Sequence, residues 1–305
     1  MASKIFFIVG PTAIGKSDVA ISLAQKINGE IVSCDSMQVY KEINIASNKP
    51  SDADLKKIPH HLVNILSIEE EFNVARFNRL ACEAIDTIHS NGRVPIVVGG
   101  SGLYMQILLD GIFEGAPKDD QLRLHLQVLA EEKGAEHLHV LLKEKDAHAA
   151  ENIHPNNVKR IIRALEVCMT KEAPISSVQK NREGLWGKHD VQIYGLNCER
   201  ARLYEKINQR VEKMFEQGLV AEIKALESKT LSLTAASLIG IKEVQNYLKG
   251  ESGEALAKEQ MKLNTRHFAK RQLSWFRREE RIRWINVQSD DAAESLSEGI
   301  LNYDG

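Results

Sequence analysis

Gly10-Pro11-Thr12-Ala13-Ile14-Gly15-Lys16-Ser17 separates two stretches of different character. Before it, residues 4–9 (KIFFIV) are short, apolar, β-branched and aromatic, the composition of a buried strand. After it, Val19, Ala20, Leu23, Ala24 and Ile27 recur at helical spacing across residues 16–27. The octapeptide is a complete GxxxxGK[ST] pattern in the strand–loop–helix setting the pattern requires. Glycines let main-chain N–H groups surround phosphate oxygens, and the start of the next helix adds a positive field. Lys16 can neutralise phosphate charge and the Ser17 hydroxyl can hold Mg²⁺. Gly10, Thr12, Ala13, Ile14, Gly15, Lys16 and Ser17 are therefore candidate anion-binding residues.

Outward from this loop, strands and helices alternate. Glu30–Ser33 reads as a second strand, ending at Cys34-Asp35. Arg76–His89 has a helical apolar stripe, and Val94–Val98 is a third apolar strand, ending at Gly99-Gly100. This alternation predicts a parallel sheet flanked by helices, an α/β fold like that of the P-loop NTPases, with ligands at the carboxyl ends of the strands. From Asp110 the composition shifts to Gly, Pro and Asp, and helical patterns follow at 120–133, 146–151 and 156–170 without strong strands. A small all-helical insertion is expected at 116–188, between core segments 1–115 and 189–305. In the last segment, Val191–Leu196 predicts a strand, Glu199–Leu226 one long helix, 255–279 a basic helix and Trp284–Val287 a final strand. The acidic tail from Ser289 reads as peripheral.

Composition narrows the function classes. Of 305 residues, 43% are apolar and 27% charged, which excludes a wholly disordered chain. No apolar run approaches the roughly 18–20 residues of a bilayer-spanning helix. The N-terminus runs straight into the glycine loop with no small-residue cleavage site, so no signal peptide or membrane partner is expected. Cys34, Cys82, Cys168 and Cys198 lack ligand or disulfide spacing, which fits a reducing cytoplasm. Net charge is only −2, yet Lys258 to Arg283 holds nine Lys or Arg against three Glu, a directed basic face or a solvated helix. In it Lys270, Ser274 and Arg277 share one side, a stripe suited to a phosphodiester backbone, while Leu273, Trp275 and Phe276 anchor the helix elsewhere. Lys159, Arg160 and Arg163 form a second basic cluster.

The loop alone favours an ATPase or small-molecule kinase, but Val94–Val98 ends in glycines rather than the acid such enzymes use. Asp35 is the nearest strand-end carboxylate; metal-water ligand, ribose-binding acid, base and simple Asx turn all remain open. Ser101, among Gly99, Gly100 and Gly102, is either a donor to phosphate or a helix cap. His60-His61 reads as a loop pair used for packing or hydrogen bonds.

Taken in order, GPTAIGKS, Cys34-Asp35-Ser36-Met37-Gln38, Pro59-His60-His61-Leu62, Val97-Val98-Gly99-Gly100-Ser101-Gly102, Ile153-His154-Pro155-Asn156-Asn157, Arg163-Ala164-Leu165-Glu166, Ile239-Gly240-Ile241-Lys242-Glu243 and Arg271-Gln272-Leu273-Ser274-Trp275-Phe276-Arg277 resemble the tRNA dimethylallyltransferase family in its bacterial form. The resemblance spans residues 4 to about 285. It implies transfer of a dimethylallyl group from dimethylallyl diphosphate to N6 of the adenosine 3′-adjacent to the anticodon of tRNA, with Mg²⁺ as cofactor, by a cytoplasmic monomer. The glycine loop would then hold diphosphate and Asp35 would be the general base. The resemblance also puts Ser101 and Arg123 at the reaction centre, beside Lys16. It assigns tRNA contact to Asp35, Ser36, Met37 and Gln38, to Lys159, Arg160, Ile161, Ile162 and Arg163, and to Lys242, Lys270, Arg271, Ser274 and Arg277. Met37 replaces a common Arg, Ser101 a Thr, Ile241 a Tyr and Ser237 a Gln, and Ala46-Ser47-Asn48-Lys49-Pro50 replaces GTAKP.

Overall fold

The computed structural model describes residues 3–112, 119–171, 173–178, 183–288 and 291–303. In chain order, β1 (Lys4–Val9), α1 (Lys16–Ile27), β2 (Gly29–Cys34), α2 (Asp52–Lys57), β3 (His60–His61), α3 (Val74–Ser90), β4 (Val94–Gly99) and α4 (Gly102–Asp110) come first. Then come α5 (Asp120–Lys133), α6 (Ala135–Lys145), α7 (Ala147–Asn152), α8 (Val158–Lys171) and α9 (Ile175–Val178). The chain continues with β5 (Asp190–Asn197), α10 (Arg200–Glu216), α11 (Leu219–Lys224), α12 (Leu233–Ala236), α13 (Ile241–Leu248), α14 (Glu254–Phe276), β6 (Arg283–Asn286) and α15 (Ala293–Asn302). Two compact units result: Met1–Leu109 with Leu185–Gly305, and Asp110–Gly184. The domain edge expected at 115–116 lies outside the described residues. Among the described residues no helix is long and apolar enough to cross a membrane.

The first unit is a parallel sheet in the order β3-β2-β4-β1-β5-β6. Its central strands β1 and β4 are buried beyond their first residue because both faces are covered. Ile5, Phe7 and Val9 enter one core, with Phe77, Ala81 and Ile85 of α3 and Phe276 of α14. Phe6 and Ile8 enter the opposite core, with Leu23 of α1 and Leu203 and Ile207 of α10. The strand order has a direct consequence for chemistry. β4 lies between β1 and β2, and Gly99 pairs with Val9 on one side and Cys34 on the other. The glycine loop after β1 and Asp35 after β2 therefore flank the end of β4, where a Cβ on Gly99 would stand 2.0 Å from the Cys34 carbonyl oxygen.

Three expectations are corrected in this unit. The helix expected over Glu199–Leu226 breaks into α10 and α11 at Gln217-Gly218, where Gly218 takes the left-handed φ of 99°. His60-His61 is no loop but the edge strand β3: His60 Nδ1 meets the Ile58 carbonyl at 2.7 Å and His61 Nε2 meets Glu30 at 2.6 Å. The acidic tail is not peripheral, because α15 packs on α1 through Ile300 and Ser297, which are 1% and 0% exposed. The Ser22 and Ser297 hydroxyls bond at 2.8 Å, and Lys26 pairs with Glu298 at 2.7 Å. Its apolar signal, Leu296 and Ile300 at i, i+4, is short and embedded among acids.

The second unit is helical among the described residues and builds its own core from Leu126, Leu138, Leu142, Ile161, Leu165 and Val167. The sequence pattern missed α6, whose inward Leu138 and Leu142 alternate with His and Lys. At its centre the fully buried Glu166 accepts from Arg123 at 2.8 and 2.9 Å, from Arg163 at 2.5 Å and from the Asp119 N–H at 2.8 Å.

Candidate active site

The glycine loop folds by alternating backbone hands. Gly10 leaves β1 at φ 146°, Ala13 sits in the left-handed region at φ 65° and Gly15 opens α1 at φ 104°. A left-handed Ala is strain of the kind held at functional sites. No side chain caps α1, so its first N–H groups face outward unsatisfied, the arrangement that receives anions. Thr12, Ala13, Gly15, Lys16 and Ser17 line a cavity of about 580 Å³. Gly10 and Ile14 stand behind it: Gly10 packs on the Leu196 carbonyl and the Ile14 side chain is buried in the core. Their part in anion binding is thus confined to shaping the main chain.

Asp35 and Gln38 line the same cavity from the end of β2, and Gly99 and Gly100 form the wall between them and the glycine loop. Asp35 Oδ1 accepts the Met37 N–H at 2.8 Å, an Asx turn that aims the carboxyl without consuming it. Gln38 is held at both ends, accepting from the Ser33 hydroxyl at 2.8 Å and donating to the Asn48 carbonyl at 3.2 Å. Ser36 and Met37 are half-buried beside the cavity rather than on its lining, and Met37 packs against the core. Ser101 opens α4, its carbonyl accepting the Met105 N–H at 3.0 Å; among the described residues it stands next to the lining, not on it. The substituted loop 46–50 contributes Ser47, Asn48 and Pro50. It is fastened by Glu222, which accepts the N–H groups of Asn44, Ile45 and Ala46 at 2.7, 2.9 and 2.9 Å.

Electrostatics mark the cavity as an anion seat. Burial, and then the Arg210 guanidinium, push the Lys16 ammonium down to about 7, while Asp35 pulls the other way. Its Nζ donates to the Pro11 carbonyl at 2.7 Å. Burial also pushes Arg210 down to about 10, again opposed by Asp35. Two desolvated cations beside one carboxylate gain most when a polyanion enters.

Four side chains of this site were given no role in the sequence reading. Arg210 on α10 donates to the Thr12 hydroxyl at 2.9 Å, and Lys206 and Lys213 line the cavity with it. The signal was present in the i, i+4, i+7 spacing of 206, 210 and 213, hidden by the stronger apolar stripe of the same helix. Gln272 on α14 accepts the Thr12 N–H at 2.8 Å and donates to the Gly100 carbonyl at 3.0 Å.

The tRNA-contact candidates divide by exposure. Lys270, Arg271 and Ser274 line an exposed groove of about 440 Å³ with His267, Trp275 and Arg278. Arg277 and Lys242 are exposed on α14's end and on α13. Trp275 packs against Gly102, where a Cβ would lie 2.2 Å from the indole, and Phe276 is core. In the second unit Lys159 and Arg160 are exposed. Ile161 and Ile162 are corrected: they are 0% and 8% exposed and face that unit's core, so their side chains are packing and not contact groups. Arg123 and Arg163 are engaged with Glu166.

Residues 38–279 match the family model described as IPP transferase. A tRNA dimethylallyltransferase of Acetivibrio thermocellus is 42% identical over 303 residues, covering 98% of this chain and 97% of that protein. The solved full-length tRNA isopentenylpyrophosphate transferase of Bacillus halodurans has a TM-score of 0.71 and 36% identity, covering 98% of this chain and 96% of that one. A solved eukaryotic dimethylallyltransferase acting on tRNA has a TM-score of 0.80 and 30% identity, covering 99% of this chain and 77% of that one. With this coverage, and with the glycine loop and Asp35 lining one cavity, the chain belongs to the IPP transferase family.

Proposed function

We infer that this enzyme transfers a dimethylallyl group from dimethylallyl diphosphate to N6 of the adenosine 3′-adjacent to the anticodon in tRNA, releasing diphosphate. Beside family membership, the observation that carries the reading is the shared cavity of Lys16, Arg210 and Asp35. The allylic C–O bond breaks, its electron pair leaves on diphosphate, and the N6 lone pair forms the new C–N bond. Lys16, Arg210 and the loop N–H groups receive the leaving charge. N6 is a weak nucleophile because its lone pair is conjugated with the ring, so its proton is shed only as the C–N bond forms. Asp35 accepts that proton at its carboxylate, held in place by the Asx turn. An adenine reaches such a cavity only when extruded from its stack.

Mg²⁺ fits the donors present: Ser17 lines the cavity, and among the described residues its hydroxyl makes no hydrogen bond. Ser17 and the diphosphate oxygens would hold the ion, which when bound neutralises phosphate charge. Ser101, one residue past the Gly99-Gly100 wall, is the candidate hydroxyl at the leaving oxygen. Residues 116–188 serve as the tRNA-binding insertion, through the exposed Lys159 and Arg160. Lys242, Lys270, Arg271, Ser274 and Arg277 supply phosphate contacts from the other unit, and the enzyme works as a cytoplasmic monomer. Incubation with dimethylallyl diphosphate, Mg²⁺ and unmodified tRNA, followed by nucleoside mass analysis, tests this directly. The expected product is adenosine heavier by C5H8; a phosphorylated small molecule formed from ATP without tRNA would replace the reading.

A further inference from the structure

α14 has an outer and an inner face. Outward, Lys270, Arg271, Ser274 and Trp275 line the exposed groove. Inward, Ala269, Gln272 and Phe276 are buried at spacings of three and four. Two of the three are apolar packing; Gln272 is an amide only 6% exposed. Its Oε1 accepts the Thr12 N–H at 2.8 Å and its Nε2 donates to the Gly100 carbonyl at 3.0 Å. A main-chain N–H can only donate and a carbonyl can only accept, so the partners dictate the amide's orientation. Those partners belong to the two loops that bound the anion seat, the glycine loop after β1 and the turn after β4. The fit is close, since a Cβ on Gly100 would lie 2.1 Å from the Gln272 Nε2. An apolar side chain would fill this volume without desolvating two polar atoms. What the amide adds is a set spacing between the loops and a set direction for the Thr12 peptide.

We propose that Gln272 is a positioning residue for the transfer reaction: from the buried face of α14 it holds Thr12 and Gly100 so that the glycine loop is preformed for a diphosphate. The inference rests on the reading that this loop holds the substrate's diphosphate. Although Gln272 borders the cavity, both of its polar atoms are engaged with main chain, so it acts through the loops.

The test titrates inorganic diphosphate with Mg²⁺ into the native chain, Gln272→Met, Gly100→Ala and the double variant. Gln272→Met keeps volume and removes both bonds; Gly100→Ala displaces the same amide from the other side. Each single change should weaken diphosphate binding about tenfold, the worth of a lost buried hydrogen bond. The double variant should be no weaker than Gln272→Met, because both changes remove one device. The KM for dimethylallyl diphosphate should rise with the same factor and exceed any fall in kcat or rise in the KM for tRNA. Gln272→Met binding diphosphate as tightly as the native chain, or single effects multiplying to about a hundredfold, would overturn the inference. If a thermal melt shows Gln272→Met unfolded, Gly100→Ala decides alone, tenfold weakening supporting the inference and native affinity overturning it. A native chain that does not bind diphosphate defeats the reading of the loop and this inference with it; native binding with unaffected variants defeats this inference alone.

Discussion

Arginines are used in opposite ways in the two units. In the helical unit, Arg123 and Arg163 converge on Glu166, a carboxylate with no solvent exposure, and their charges are answered inside the protein. In the sheet unit, Arg210 stands in the cavity wall with a neutral hydroxyl as its hydrogen-bond partner, and among the described residues no carboxylate lies within ion-pair distance. A guanidinium paired with a buried acid organises a fold; one left desolvated beside a second cation waits for an anion from outside. Charge counting along the chain treats these arginines alike, and only their surroundings tell them apart.

The contrast can be broken at its reacting end first. Asp35→Ala should lower kcat about a thousandfold while tRNA affinity changes far less. Unaltered single-turnover transfer would mean that the cavity's carboxylate is not the base. Next, Arg210→Met should weaken inorganic diphosphate binding about thirtyfold, as expected for loss of a charged donor. Retained affinity would show that its charge is answered within the protein after all.

The helical side of the comparison predicts a stability effect in place of a binding effect. Glu166→Gln should cost about 2 kcal/mol, below the roughly 3–5 kcal/mol of a fully buried pair because both arginines are about one-third exposed. The readout is the midpoint of chemical denaturation, with diphosphate affinity held within about twofold. Burial pushes the Glu166 carboxyl up, but the bonds from Arg123, the Asp119 N–H and Arg163 outweigh it and hold it below the ordinary 4.5. Its stabilising contribution is therefore complete above about 4.5 and is lost as pH falls through the depressed value.

Smaller effects sharpen the picture of the anion seat. With Lys16 near 7, the ammonium is mostly neutral in the free protein at about pH 8, and a bound anion raises its affinity for a proton. Diphosphate binding should then take up at most about one proton more in the native chain than in Lys16→Met, measured by calorimetry in buffers of different ionisation heat. Equal uptake would place Lys16 in its charged form before the anion arrives. The least effect is expected on the exposed groove side, where Arg271→Gln and Arg277→Gln should each reduce the salt slope of tRNA binding by about 1. An unchanged slope would move them from phosphate contact to surface.

Legibility followed the range of the interactions. β1, α1, β4 and α5 were readable because an apolar period, a glycine and a cap act within a few residues. Asp35 was legible as a strand-end carboxylate, and strand order then put it across β4 from Lys16. α15 was missed because two apolar residues among acids resemble solvated chain until α1 is placed beneath them. The resemblance assigned the whole segment 159–163 to tRNA contact, but on a helix neighbours in sequence point to different faces, and Ile161 and Ile162 are buried while Lys159 and Arg160 are exposed.

The amino-acid order alone determined the glycine loop, the alternating elements and the carboxylate at the end of β2, since these depend on local backbone preference and short-period hydrophobicity. Tertiary structure decided which cations serve the cavity and what holds its loop. Arg210 and Gln272 reach Thr12 from 198 and 260 positions away, and Glu166 claims Arg123 from 43 away. Those meetings arise from helix packing and desolvation, energies that no short window of sequence contains.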